Sequence, residues 1–250
     1  MYITWDRKIF KEIIKKGHGP LVKEQDKVKI HYISRYQDGN LKIESTREMN
    51  QPYKFFVGEA PTQALDIAVA TMRVGEISKF TCDSKYAYGT RGKEPDIPPN
   101  ASIIYEIEIL GIMKTFSSAS KASDLALLLN DEAAQYFRAH DVNNAIALYK
   151  EAIECIEDYF GNSVQEIRIR TLRNLALMYS KIFDWKQCLI NANAVLEFDQ
   201  FDLKALMRKI EALLGLNDYE KAKEVLEYSL RISRNHPGFE RYQQMLKVSS

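Results

Sequence analysis

Two sets of residues in this 250-residue chain have types and spacings that could do chemistry. Lys204 and Arg208 stand four residues apart, which puts them on one face of a helix. Asn174 precedes Arg208 by 34 residues. Two cations on one face suit a carboxylate, which accepts charge-assisted bonds and, from arginine, forked ones. The second set is aromatic: Tyr32, Tyr53, Tyr88 and Tyr105 each offer an apolar ring with a hydroxyl at its tip. Taken alone, these tyrosines read as core and loop aromatics. Other reactive types lead nowhere. Cys82, Cys155 and Cys188 are odd in number and far apart, so no disulfide framework is indicated and a reducing compartment fits. His18, His31, His140 and His236 form no metal-binding spacing with them. No metal and no cofactor is expected.

The elements that must carry these residues change character near residue 114. Before it, short β-rich runs at 28–32, 53–57, 78–82 and 103–110 alternate with turn residues. Asp38-Gly39 is a hairpin turn signal. Residues 64–72 fit a short helix that Gly75 ends. One helix against an antiparallel sheet predicts an α+β domain over 1–113. Residues 114–123 are small and polar and read as a linker. From 124 to 250, Gly and Pro thin out and apolar residues recur at helical spacing.

That second half repeats. Cys188 to Ala222 and Trp185 to Tyr219 are, like Asn174 to Arg208, 34 residues apart. This is the tetratricopeptide (TPR) period, in which each unit is a helix hairpin. Asp184-Trp185 and Asp218-Tyr219 mark equivalent turns, and Asp141-Val142 marks an earlier one. Ala145 to Cys188 is 43 residues, so the first repeat carries an insertion around 159–165. Three hairpins and a last helix from Phe239 to Lys247 complete an all-α superhelix.

Charge is balanced, with 35 Lys+Arg against 34 Asp+Glu. No basic excess of the kind nucleic-acid binders carry is present. The N-terminus lacks the apolar core of a signal peptide, and no apolar run approaches a membrane span. A soluble, cytoplasmic protein without nucleic-acid or membrane partners is expected. Trp5 is expected to pack on the domain edge, and Arg231, Arg234, Arg241 and Lys247 to form a solvated face.

Tyr86-Ala87-Tyr88-Gly89, Ile97-Pro98-Pro99-Asn100-Ala101 and the strand through Tyr105 resemble the signature of the FKBP family of prolyl isomerases. His31-Tyr32, Gly58 and Met72-Arg73-Val74-Gly75-Glu76 agree in order and spacing. With the repeats behind them, the chain resembles the large TPR-containing immunophilins. The resemblance implies an apolar pocket that favours the twisted amide of a prolyl bond, lowering a barrier of about 18–20 kcal/mol without acid, nucleophile or metal. It places Tyr32, Tyr53, Tyr88, Ile97 and Tyr105 on the pocket wall, with Tyr88 donating to a substrate carbonyl and Tyr105 replacing a phenylalanine. Ile43 and Glu44 stand for a wall phenylalanine and its neighbouring aspartate. Pro61-Thr62 replaces a Val-Ile pair, and Leu65 replaces the tryptophan floor. A leucine floor removes the flat surface under a proline ring, so weak or absent activity and poor macrolide binding are expected.

In the chaperone-binding members, five polar residues of the TPR groove grip the carboxylates of an EEVD-type tail. Asn174, Lys204 and Arg208 match three of them. The first-repeat positions are Asn130 and Ala134, so one lysine and one asparagine are missing. The leading expectation is a co-chaperone or adaptor that binds a heat-shock chaperone through its groove and a client through its FKBP domain. Open beside it are an active isomerase targeted by its repeats, a repeat scaffold without chaperone binding, and a germline small-RNA-pathway co-chaperone. The short helix is also similar to that of a leucine-floored mitochondrial member, here expected without that member's C-terminal anchor.

Overall fold

The structure, a computed structural model, describes residues 1–36, 41–234 and 236–248, with side chains through 246. The expected turn at Asp38-Gly39 and the Lys247 side chain lie outside the described residues. The chain divides into two compact units, Met1–Lys114 and Thr115–Ser250.

The first unit holds β1 (Ile9–Lys15), β2 (Lys27–Tyr36), β3 (Lys42–Ser45), β4 (Tyr53–Phe56), α1 (Gln63–Ala70), β5 (Ile77–Cys82) and β6 (Ile103–Ile112). The strands form one antiparallel sheet in the order β1-β5-β6-β2-β3, with β4 also paired to β2. Alternation dictates the inward face: Val28, Ile30 and Tyr32 of β2 and Ile103, Tyr105, Ile107 and Ile109 of β6 are all buried. Helix α1 starts at Thr62, whose hydroxyl accepts from the Leu65 amide, as an N-cap should. Its Ala64, Leu65, Ala68 and Val69 join the same core.

Two strands escaped the pattern of the sequence. In β1 only Ile9 and Lys11 are buried, so the apolar alternation fails after three residues. In β3 only Ser45 is buried. Trp5, expected on the domain edge, is 90% exposed, with the Lys85 ammonium 6.0 Å from the centre of its ring.

The second unit is three helix hairpins and a last helix: α2 (Ala119–Arg138) with α3 (Val142–Ile156), α4 (Asn162–Lys181) with α5 (Trp185–Phe198), α6 (Leu203–Gly215) with α7 (Tyr219–Ile232), and α8 (Pro237–Val248). Each hairpin turns the same way. His140, Phe183 and Asn217 take left-handed backbone angles that stop the first helix. Asp141, Asp184 and Asp218 follow and cap the second with their carboxylates. Ala145, Cys188 and Ala222 are fully buried at equivalent points, where small side chains let helices close up. The first-repeat insertion is mostly helix: α4 has 20 residues against 13 in α6. Arg168 on the added turns donates to the Ile156 carbonyl at 2.7 Å, finishing α3.

The linker expected over 114–123 is shorter than read. Ser118 caps α2 by accepting from the Lys121 amide, so the polar stretch after it is the helix's first turn.

One buried ion pair ties β1 to the turn before β5. Lys11 Nζ lies 2.7 Å from Glu76 Oε1, with both side chains almost wholly buried. The ammonium also donates to the Thr71 carbonyl at 2.7 Å. Ser78 and the Arg73 amide donate to the carboxylate. Burial alone would raise the Glu76 carboxyl, but these bonds outweigh it and hold it below its ordinary value. A depressed carboxyl stabilises the fold above its unfolded value and loses that contribution as pH falls through the folded one. Glu76→Gln leaves a buried ammonium without its counter-ion and will cost about 3–5 kcal/mol. Amide hydrogen exchange of the sheet in the full chain will show it. The wild-type sheet will lose protection as pH falls below the ordinary carboxylate range, and the variant will lose much less over the same range.

Candidate functional site

A cavity of about 200 Å³ opens on the inner face of the sheet. Tyr32 and Ser34 reach it from β2, Ile43 and Glu44 from β3, and Ile103 and Tyr105 from β6. Pro61 and Leu65 enter from α1 and its approach, and Tyr88, Lys93, Asp96 and Ile97 from the β5–β6 connection. Tyr32, Ile43, Glu44, Leu65, Tyr88, Ile97 and Tyr105 therefore line one cavity. Leu65, 2% exposed, stands where the floor was predicted.

Two expected wall residues are set back from the cavity. Tyr53 supports it from behind, its ring edge-on to Tyr32 at 5.9 Å and stacked on Phe55 at 5.5 Å. Thr62 is buried beneath the wall, where its hydroxyl both caps α1 and lies 3.3 Å from the Tyr105 hydroxyl.

The polar geometry is internally closed. Tyr32 donates to Glu44 Oε2 at 2.7 Å. Burial, then that bond, raises the Tyr32 phenol well above its ordinary value. Burial likewise raises Tyr105 and Tyr88, whose hydroxyls interact with each other. The hydroxyl that Tyr105 has, and a phenylalanine would lack, thus meets Thr62 at the start of α1.

Sequence reasoning missed Ser34, Lys93, Asp96 and Ile103. Ser34 and Ile103 follow from strand alternation once Tyr32 and Tyr105 are placed; the loop residues gave no signal. It also missed the brace under the tyrosine loop. Asp6 accepts from Lys85 at 2.8 Å and from the Tyr86 hydroxyl at 3.0 Å. Its hydrogen bond with Lys85 is the main cause holding its carboxyl at about 2. Lys8 pairs with Asp83 at 2.6 Å. Ile97 is held by a close approach: a β-carbon on Gly92, at φ +66°, would sit 2.2 Å from the Ile97 carbonyl.

In the second unit α2, α4, α6 and α8 contact one another in turn. Lys204 is exposed, with no ion-pair partner among the described residues. Arg208 is different. Its guanidinium pairs with Glu211, one turn along α6. Asn174 is half-buried beside the Tyr149 hydroxyl. Asn130, placed by sequence at a groove position, is fully buried instead. Its amide donates to Thr171 Oγ1 and to the Ala126 carbonyl, each at 2.8 Å, so it joins α2 to α4. Ala134 is half-buried and offers no polar group. Among the described residues no group of three or more His, Cys, Asp or Glu could hold a metal.

The sheet, the short helix and the tyrosine-lined cavity define the class. Residues 19–110 match the family described as FKBP-type peptidyl-prolyl cis-trans isomerase. With three TPR hairpins behind that domain, the chain belongs to the FKBP-type immunophilins that carry TPR repeats. It is 26% identical over 235 residues to the FK506-binding protein 5 of Rhizopus delemar, covering 91% of this chain and 61% of that protein. It is 27% identical over 245 residues to the inactive peptidyl-prolyl cis-trans isomerase FKBP6 of Equus caballus, covering 90% and 78%. The crystal structure of a multi-domain immunophilin from Arabidopsis thaliana aligns with a TM-score of 0.41 and 23% identity, over 89% of this chain and 93% of that one. This chain thus spans 61% of the length of the Rhizopus relative.

Tyr105→Phe removes the hydroxyl that meets Thr62 beneath the cavity wall. The full-length variant will lose about 1 kcal/mol of stability for the lost buried hydrogen bond, which urea denaturation against wild type will measure; an unchanged midpoint would show that this contact contributes nothing to the fold.

Proposed function

We propose that this chain is an adaptor-type immunophilin, a co-chaperone whose FKBP domain binds a client or partner with weak or no prolyl isomerase activity. The observation that carries this reading is the cavity itself, which has a leucine floor where a flat aromatic surface would hold a proline ring. Without an aromatic floor the proline ring loses contact worth a sizeable part of the roughly 1.5–3 kcal/mol that burying one large side chain brings. Each 1.4 kcal/mol or so is tenfold in rate. The equine relative, similar over most of this chain, bears the name of an inactive isomerase, which supports the same reading.

The helical groove is proposed as the chaperone-docking surface, with Asn174, Lys204 and Arg208 meeting a terminal carboxylate. Binding is weaker than in a complete clamp for two reasons. No cation stands at the first-repeat clamp positions, where Asn130 is buried and Ala134 is apolar, and Arg208 must exchange Glu211 for the ligand. One lost charge-assisted bond, about 1.5–3 kcal/mol, is roughly ten- to a hundredfold in affinity. A cytoplasmic location belongs to the same proposal. Three free, buried cysteines suit reducing surroundings, and among the described residues no helix is long and apolar enough to cross a membrane.

Full-length protein will accelerate isomerisation of a proline peptide little above the uncatalysed rate. Turnover that is fast and abolished by Tyr88→Phe would favour the active-isomerase reading instead. In calorimetry with a peptide ending in EEVD, Lys204→Ala and Arg208→Ala will each weaken binding at least tenfold. Glu211→Gln will strengthen it by freeing Arg208. Loss of binding in none of the variants would remove the clamp.

A further inference from the structure

A second and larger cavity, about 680 Å³, opens in the helical unit where α5 and α7 begin and α6 and α8 pass. Its walls are largely apolar: Trp185, Leu214, Tyr219, Tyr242 and Met245. The Trp185 indole lies against the α-carbon of Gly215, where a β-carbon would fall 2.3 Å from the ring. Phe183 meets the same indole edge-on at 5.5 Å. The tryptophan is therefore a fixed wall, held by the absence of a side chain at one position and a ring at another.

The rim is charged. Glu211 pairs with Arg208 within α6 and with Arg241 from α8 at 3.0 Å. Arg241 also donates to the Tyr242 hydroxyl and lies over that ring, 4.5 Å from its centre. Two guanidinium groups thus share one carboxylate: Glu211 and Arg241 line the cavity, and with Arg208, which does not line it, they make a three-residue cluster with one positive charge in excess. Arg241 keeps 58% of its side chain exposed, so that charge faces solvent.

A cavity of roughly 300–1,000 Å³ is the size that takes a ligand. This one is open: Tyr219 is 42% and Met245 53% exposed. An open apolar cavity with a cationic rim suits a side chain delivered by an extended chain. We propose that it is a peptide-binding site for a bulky apolar side chain, such as phenylalanine or leucine, flanked by acidic residues whose carboxylates meet Arg241. It takes an internal segment and needs no terminal carboxylate, so it stands apart from the clamp built on Asn174, Lys204 and Arg208.

Trp185 is one of two tryptophans, so Trp5→Phe makes it the sole reporter. The probe is the capped peptide acetyl-Gly-Glu-Glu-Leu-Phe-Glu-Gly-amide, titrated into the full-length Trp5→Phe protein. The Trp185 emission will shift and saturate in the micromolar range. Arg241→Glu will weaken binding at least tenfold. Met245→Ser, which thins the apolar wall without touching an ion pair, will weaken it severalfold if the cavity is the site. Asn174→Ala, in the clamp, will leave it within twofold. Serines in place of Leu-Phe in the peptide will abolish binding. No emission shift at millimolar peptide overturns the proposal. So does equal binding of a peptide carrying lysines for its glutamates. A dimer in sedimentation velocity that excludes the peptide overturns it in favour of a second copy of the chain as the occupant.

Discussion

A polar group taken out of water must find a partner or cost about 1–3 kcal/mol, and more when charged. Both units of this protein are organised by that constraint, and nearly every partner is internal. In the first, Lys11 and Glu76 answer each other inside the sheet, and the pocket hydroxyls of Tyr32, Tyr105 and Thr62 close on Glu44 and one another. In the second, Asn130 and Thr171 satisfy each other between α2 and α4. Arg173 pairs with the capping residue Asp202, and Arg208 with Glu211. A site that has already satisfied its polar groups has less to offer a polar ligand.

Much of this fold was legible in the sequence because its signals are periodic. The strands with sustained alternation, β2, β5 and β6, and the helix α1 were all visible. The hairpins followed from aspartates recurring at fixed intervals, since an aspartate after a left-handed residue is both the stop and the start signal. What failed was local. β1 lies at the sheet edge and loses its alternation after Lys11. Ser118 lay in a polar run that looked like a linker because a capping serine and a linker serine are the same letter.

The sites were legible to different depths. Family resemblance named the pocket tyrosines and the groove cations. It could not say that Tyr53 and Thr62 lie outside the cavity lining, since that depends on Tyr53 stacking on Phe55 and on Thr62 turning its hydroxyl to cap α1. Nor could it say that Asn130 is buried. The Arg208–Glu211 pair was within reach, because opposite charges three apart on a helix face each other. Arg241 was not: it approaches Glu211 from α8, 30 residues away in sequence.

The balance of terms in the helical unit decides how it recognises a partner. An exposed ion pair is worth about 0–1 kcal/mol, and Arg208 and Glu211 are only about one-fifth exposed, so their mutual attraction is less screened than that. A carboxylate ligand gains at Arg208 only the difference between its own bond and the one Glu211 gives up. An apolar side chain entering the cavity beside Trp185 displaces water and no ion pair, and its gain of about 1.5–3 kcal/mol is not offset in that way. Affinity in this groove therefore rests more on apolar contact, and charge acts on choice among partners and on rate of encounter. An internal acidic and apolar segment would meet unmade apolar contacts beside Trp185, whereas a carboxylate tail would find its cation at Lys204, unpaired among the described residues.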